Sequence, residues 1–155
     1  MKVGELMTRE VGTCRRDQTL NIAAQIMWEH DCGSVPVVDS YGRVIAMITD
    51  RDICMAAYTQ GKALSEIYVS TCASEDLVSV REEEEIETVE ELMRQHQIRR
   101  VPVVDDRGRA VGILAMGDLA VNAHVSPAKG HELSSDSIAG TLAAVSEPSP
   151  IKNAA

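Results

Sequence analysis

Two short stretches of this 155-residue chain carry side chains suited to holding a small polar molecule. The first is ITDRD, residues 48–52. An apolar run ends at Thr49 and a helical pattern begins there, so free backbone N–H groups at the helix start favour an anion. The Asp52 carboxylate can accept two hydrogen bonds from a cis-diol, the geometry a ribose offers. The same T-x-x-D spacing reads equally as a variant capping box, with Thr49 capping the helix and Asp52 reaching back. Arg51 either adds a phosphate contact, pairs with Asp50 or Asp52, or faces solvent. The second stretch is Arg99-Arg100, two guanidiniums that suit phosphate as bidentate donors or stand solvated beside an acidic helix. No Ser-His-Asp order, Walker loop, HExxH or GxGxxG occurs, so neither catalytic nor metal-ligating residues are assigned.

Both stretches flank a phrase that occurs twice. VPVVDSYGR, residues 35–43, returns as VPVVDDRGR, residues 101–109, an offset of 66. The register continues without a gap: Val3 meets Val69, Met27 meets Met93, His30 meets His96 and Asp52 meets Asp118. Such a span marks a tandem duplication. The copies differ around the phrase. LAMGD, residues 114–118, answers ITDRD, so Ala115 replaces Thr49 while Asp118 stays. A capping-box Asp without its Thr has less reason to persist, which favours a ligand role for the pair of aspartates. Gly33-Ser34 answers Arg99-Arg100.

Each unit reads as β-α-β-β-α. VGTCR (11–15) and LVSVR (77–81) suggest first strands. Leu20, Ala23, Ala24 and Met27, then Ile86, Val89 and Met93, fall at helical spacing. The acidic run Glu82–Glu85 suits the start of the second of these helices through its dipole. VPVV is a strand buried on both faces, with Pro36 and Pro102 at the strand starts. Gly42 and Gly108 take positive φ in hairpin turns. A second helix opens near residue 50 and near 116. A unit of this size is marginal alone, so two stacked through their sheets share one core. The expected organisation is a first repeat over 1–60, a linker over 61–66, a second repeat over 67–125 and a polar tail over 126–155, with a short helix near 136–146 capped by Asp136.

The strand phrase, the glycine turn and the T-D-R-D at fixed distance, embedded in a repeat, resemble the cystathionine-β-synthase (CBS) domain. Two in tandem resemble a CBS pair, or Bateman module. The likeness covers roughly residues 1–124. It implies an α/β (α+β) fold of two repeats about a pseudo-twofold axis, in a stand-alone regulatory module dimerised into a disk. It also implies adenine nucleotides or related adenosyl ligands, such as AMP, ADP, ATP, S-adenosylmethionine or NAD, bound between the repeats. Carried over, Asp52 holds the ribose, Thr49 lies near the phosphates, and Arg99 and Arg100 reach the phosphates from the other repeat. The reciprocal site has Asp118 and Ser34 and no arginine pair, which suits a less phosphorylated adenosyl ligand or an empty cleft. The absent Thr at 115 departs from the pattern and marks that site as the weaker. The nucleotide is a regulatory ligand, no cofactor is required, and the regulated partner is an enzyme or transporter. A structural or protein-interaction module with vestigial clefts is the alternative.

Bulk properties narrow the classes further. A formal charge of −9 argues against nucleic acid and acidic membranes, leaving only a local basic pocket to be sought. No apolar run is long enough for a membrane span, and MKVGELMTRE lacks the apolar centre of a signal peptide. Cys14, Cys32, Cys54 and Cys72 form no CxxC pair. Buried thiols in a cytoplasmic protein are the reading. With Trp28, three Tyr and no Phe, the core is aliphatic. His30 and His96 suit helix ends by their charge; His124 and His131 fall at the end of the repeat and in the tail, and PSPIKNAA reads as disordered.

Overall fold

The computed structural model of the protein describes residues 1–74, 76–125 and 134–147. A short helix, α1 (Val3–Leu6), leads into β1 (Cys14–Arg15), α2 (Leu20–Glu29), β2 (Ser34–Val38), β3 (Val44–Thr49) and α3 (Asp50–Gln60). After two short 3₁₀ turns come α4 (Ile86–His96), β4 (Arg100–Val104), β5 (Ala110–Ala115) and α5 (Met116–Val125). The first repeat carries a three-stranded sheet in the order β1-β2-β3, with β1 parallel and β3 antiparallel to β2. In the second, the expected first strand contracts to one parallel bridge, Val80 to Val103, beside the β4-β5 ladder.

Every residue of β2 is buried, as expected of a strand covered on both faces. Pro36 and Pro102 do not start their strands; each lies third of five. Across the ladder stand Met47 and Ile113, whose N–H and C=O groups instead pair with Ser74 and Thr8, so no proline N–H is missed. Gly42 and Gly108 both take φ of 77°. The repeated Asp and Arg lock these hairpins. Asp39 Oδ1 accepts the N–H groups of Tyr41 and Arg43 at 2.9 Å, and Arg43 Nε donates to Oδ2 at 2.7 Å. Asp105, Arg107 and Arg109 repeat the arrangement at 2.8–2.9 Å.

The Arg109 N–H and guanidinium hold Asp105 below the ordinary value of 3.8. At Asp39 burial opposes, but the Arg43 and Tyr41 contacts outweigh it in the same direction. A depressed carboxylate contributes stability above its unfolded pKa, and that share is lost as the pH falls through the folded value. Replacing both by asparagine therefore gives a shallower fall of Tm as the pH drops below the ordinary value of 3.8, read by thermal unfolding in increasingly acidic buffer. An unchanged slope would show that the hairpin carboxylates take no part.

The buried apolar residues form two clusters rather than one shared core. One holds Leu20, Val35, Val37 and Ile48; the other holds Ile86, Val101, Val103 and Leu114. The repeats exchange their leading segments. Val3 and Met7 belong to the second cluster, and Ile67 and Val69 to the first. Thr8 pairs with Ile113 through two 2.9 Å hydrogen bonds, and Ser74 pairs with Met47 at 2.9 and 3.3 Å. Equivalent residues Arg43 and Arg109 face each other in an antiparallel bridge, which places the pseudo-twofold axis between them. Glu82–Glu85 precedes α4 and does more than meet a dipole. Arg9 donates to both Glu82 oxygens at 3.1 and 3.2 Å, Lys2 pairs with Glu85, and the Glu82 and Glu84 carbonyls accept from Gly4 and Val3. The run is the dock for the exchanged N-terminal segment.

The tail helix, α6 (Ser135–Ser146), is capped by Ser134, whose Oγ accepts from Ser137 N–H at 3.0 Å, not by Asp136. It packs on α4 and α5, adding Ile138 and Val145 to the second cluster. Glu90, only 3% exposed, accepts from Ser137 Oγ at 3.0 Å and Thr141 Oγ1 at 3.1 Å. Arg94 Nη1 donates to Thr141 at 2.6 Å. The rest of the expected tail, 126–133 and 148–155 with His131 and PSPIKNAA, lies outside the described residues, as does the His124 side chain.

Candidate functional site

The exchange and the pseudo-axis create two clefts with matching walls. The larger, about 680 Å³, is lined by Thr49, Asp52, Arg99, Arg100, Ser74 and Asp76. The smaller, about 470 Å³, is lined by their 66-residue counterparts Ala115, Asp118, Gly33, Ser34, Thr8 and Glu10. Each cleft thus joins the strand-to-helix junction of one repeat to the strand start of the other. Thr49, Asp52, Arg99 and Arg100 are brought into one cavity, and Arg51 sits exposed on its rim. The Arg51 N–H meets the Asp50 carboxylate at 2.7 Å; its guanidinium makes no ion pair among the described residues.

Local geometry realises the capping box. Asp52 N–H donates to Thr49 Oγ1 at 3.2 Å, while Thr49 N–H and Oγ1 donate to Asp52 Oδ2 at 2.8 and 2.7 Å. Asp118 Oδ2 accepts the Ala115 N–H at 2.8 Å. Asp118 therefore has a structural reason to persist without a threonine, and its presence no longer favours a ligand role. Both aspartates cap through Oδ2 and are half-buried. Their Oδ1 atoms make no hydrogen bond among the described residues, so each cleft retains a carboxylate acceptor.

Arg99 Nη2 lies 3.5 Å from Ser146 Oγ of α6. Arg100 lines both clefts. Gly33 makes room for it: a Cβ there would sit 3.2 Å from Arg100 Nη2 and 2.8 Å from Asp50 Oδ2. Ser34 lies where the two clefts meet. It is 4% exposed, and its Oγ has no hydrogen-bond partner among the described residues. A buried hydroxyl left unpaired costs about 1–3 kcal/mol, so this group is free to reward a ligand or water that meets it.

The expected positive pocket is in fact mixed. Arg51, Arg99 and Arg100 share the larger cleft with Asp50, Asp52, Asp76 and Glu147. The smaller has Arg100 and His30 beside Glu10, Asp31 and Asp118. His96 is exposed and lines neither cleft. Residues 145–147 of the tail, which form part of the larger cleft's wall, were not marked by sequence reasoning. Among the described residues no three His, Cys, Asp or Glu cluster as a metal site, and no helix is long and apolar enough to cross a membrane.

The thiols divide by environment. Burial pushes Cys14 up to about 11, whereas Cys32 and Cys54 are exposed. The reading of four buried thiols therefore holds for Cys14 alone. Iodoacetamide near neutral pH labels Cys32 and Cys54 well before Cys14, because only the accessible thiolate reacts. Peptide mass spectrometry reads the order; early labelling of Cys14 would contradict its burial.

A duplicated α/β chain with two pseudo-symmetric interrepeat clefts defines a tandem domain pair. It belongs to the CBS domain family, whose model matches residues 3–58 and 65–123. Over 120 residues it is 43% identical to the CBS domain-containing protein YhcV of Bacillus subtilis, covering 77% of this chain and 84% of that one. Among solved structures, the CBS domain pair of protein MJ0100, in complex with 5′-methylthioadenosine and S-adenosyl-L-methionine, is 26% identical with a TM-score of 0.71. That match covers 81% of this chain and 97% of that one. Hypoxic Response Protein I, solved with two coordinated zinc ions, is 31% identical with a TM-score of 0.70, covering 78% and 98%.

Proposed function

We propose that this chain is a non-enzymatic, cytoplasmic regulatory module that binds an adenine nucleotide or related adenosyl ligand between its repeats and signals occupancy to a partner enzyme or transporter. The observation that carries the reading is the larger cleft, where the Asp52 helix start of one repeat faces Arg99 and Arg100 of the other. Asp52 takes the ribose, Thr49 lies near the phosphates, Arg99 and Arg100 take phosphate, and Arg51 assists from the rim. Asp118 and Ser34 serve the weaker cleft. The adenosyl ligands of the MJ0100 pair support the class. The capping box favours a second reading, in which Asp52 and Asp118 only cap helices and the clefts stay empty in a structural module.

A thermal-shift panel of AMP, ADP, ATP, NAD and S-adenosylmethionine separates the two. Ligand at a hundredfold over Kd stabilises by about 2.7 kcal/mol, or roughly 5–10 °C for a chain of this size. No shift with any of them, on protein freed of bound nucleotide, leaves the structural reading.

The module also pairs with a second copy, on its first repeat. Trp28 and Tyr58 are 88% and 82% exposed on α2 and α3, with Met55 beside them in sequence. Residues 20–28 and 53–61 carry no charge, so two chains of charge −9 can meet there without repulsion. The equivalent face of the second repeat is already covered by α6. Trp28→Glu with Tyr58→Glu yields monomer in light scattering; dimer surviving both changes would place the contact elsewhere.

A further inference from the structure

Helix α6 stands at the larger cleft and, among the described residues, has no counterpart at the smaller one. Its docking rests on apolar burial of Ile138 and Val145 and on the buried Glu90 carboxylate, which is held by the Ser137 and Thr141 hydroxyls. Its last turn then reaches the cleft. Val145, Ser146 and Glu147 form part of the wall, with Ser146 Oγ 3.5 Å from Arg99 Nη2.

This placement has an electrostatic consequence. Among the described residues three guanidiniums face four carboxylates while α6 is docked, and Glu147 supplies the carboxylate that tips their balance negative. A monophosphate brings up to two negative charges, which Arg99 and Arg100 can meet. A triphosphate brings about two more, and these fall on a wall that already holds Glu147 and Asp76. Moving α6 off α4 removes Glu147 from the wall and frees Arg99 from Ser146. A ligand that binds one of two states better must shift the equilibrium toward it.

We propose that α6 is a charge filter on this cleft: the docked form takes adenosyl ligands with at most one phosphate, and a triphosphate binds the form in which α6 has left α4. The proposal rests on the nucleotide reading of the cleft. It identifies Glu147 as a specificity-determining residue and α6 as the element whose position carries the signal.

The test is a titration of the full chain with ATP, AMP and S-adenosylmethionine, paired with hydrogen exchange over residues 135–146. In the parent protein ATP raises exchange in α6, and AMP and S-adenosylmethionine do not. Glu147→Gln tightens ATP about fivefold at low salt and does not tighten S-adenosylmethionine, whose net positive charge is attracted by the carboxylate that ATP is repelled by. Thr141→Val, which breaks Glu90 and Arg94 contacts that are not part of the cleft wall, tightens ATP and leaves AMP as it was. Glu147 is exposed, so its variant tests the filter even if Thr141→Val fails to fold. ATP bound with α6 still protected overturns the proposal, as do equal gains for ATP and S-adenosylmethionine in Glu147→Gln. A flat titration with all three ligands in parent and variants sinks the nucleotide reading itself and the filter with it, an outcome distinct from binding without selectivity.

Discussion

Asp52→Ala abolishes the thermal stabilisation given by an adenosyl ligand, whereas Asp118→Ala retains most of it. Both aspartates accept a backbone N–H at 2.8 Å at a helix start, so each substitution removes comparable capping. That loss is about 1 kcal/mol, or roughly 2–4 °C in Tm without ligand. Asp52 also loses the Thr49 hydroxyl, which places its variant at the upper end. The ligand response then divides them. Asp52 shares its cleft with Arg99 and Arg100; Asp118 shares its own with Arg100 alone. The roughly 5–10 °C gained from saturating ligand therefore disappears in one variant and persists in the other. Asp118→Ala is the control that separates binding from capping. If both variants lose the same few degrees and the parent protein responds to no ligand, the aspartates are caps and nothing more.

Much of this was legible in the chain because a duplication is its own alignment. Comparing the copies located Asp52 against Asp118 and Arg99-Arg100 against Gly33-Ser34, and the fold brings the first set into one cavity. The exchange of leading segments was not legible. Val3 meets Val69 in register whether each packs at home or in the other repeat, because a symmetric exchange leaves the offset unchanged. Pro36 and Pro102 held a trace of it: a mid-strand proline is tolerated where the facing residue bonds elsewhere, and Met47 and Ile113 bond the exchanged segments. The wall of the larger cleft built by α6 was hidden for a different reason. The tail has no counterpart 66 residues earlier, so comparison of the copies could not reach it. One signal was present. Glu90 falls beside Ile86, Val89 and Met93 on the buried face of α4, and a carboxylate there demands polar partners from another element.

Val3→Asp disorders the second repeat before the first. Val3 is fully buried among Ile86, Leu119 and their neighbours, although it lies at the start of the chain's first repeat. A carboxylate at that site costs several kcal/mol, a large share of the 5–15 kcal/mol that a domain has in total. The variant relieves the cost by expelling α1, which uncovers the second cluster and strips Thr8 from Ile113. Hydrogen exchange therefore rises over residues 86–125, while α2 and α3 keep their protection. Val69→Asp gives the mirror result, since Val69 is fully buried in the first cluster. Val3→Ala, at about 1–2 kcal/mol, shows the same pattern should the charged variant not fold. Exchange rising instead over residues 20–60 in Val3→Asp would mean that each leading segment packs within its own repeat. The smaller cleft would then lose the Thr8 wall that the exchange supplies, so this one measurement decides both how the repeats hold each other and how that cleft is built.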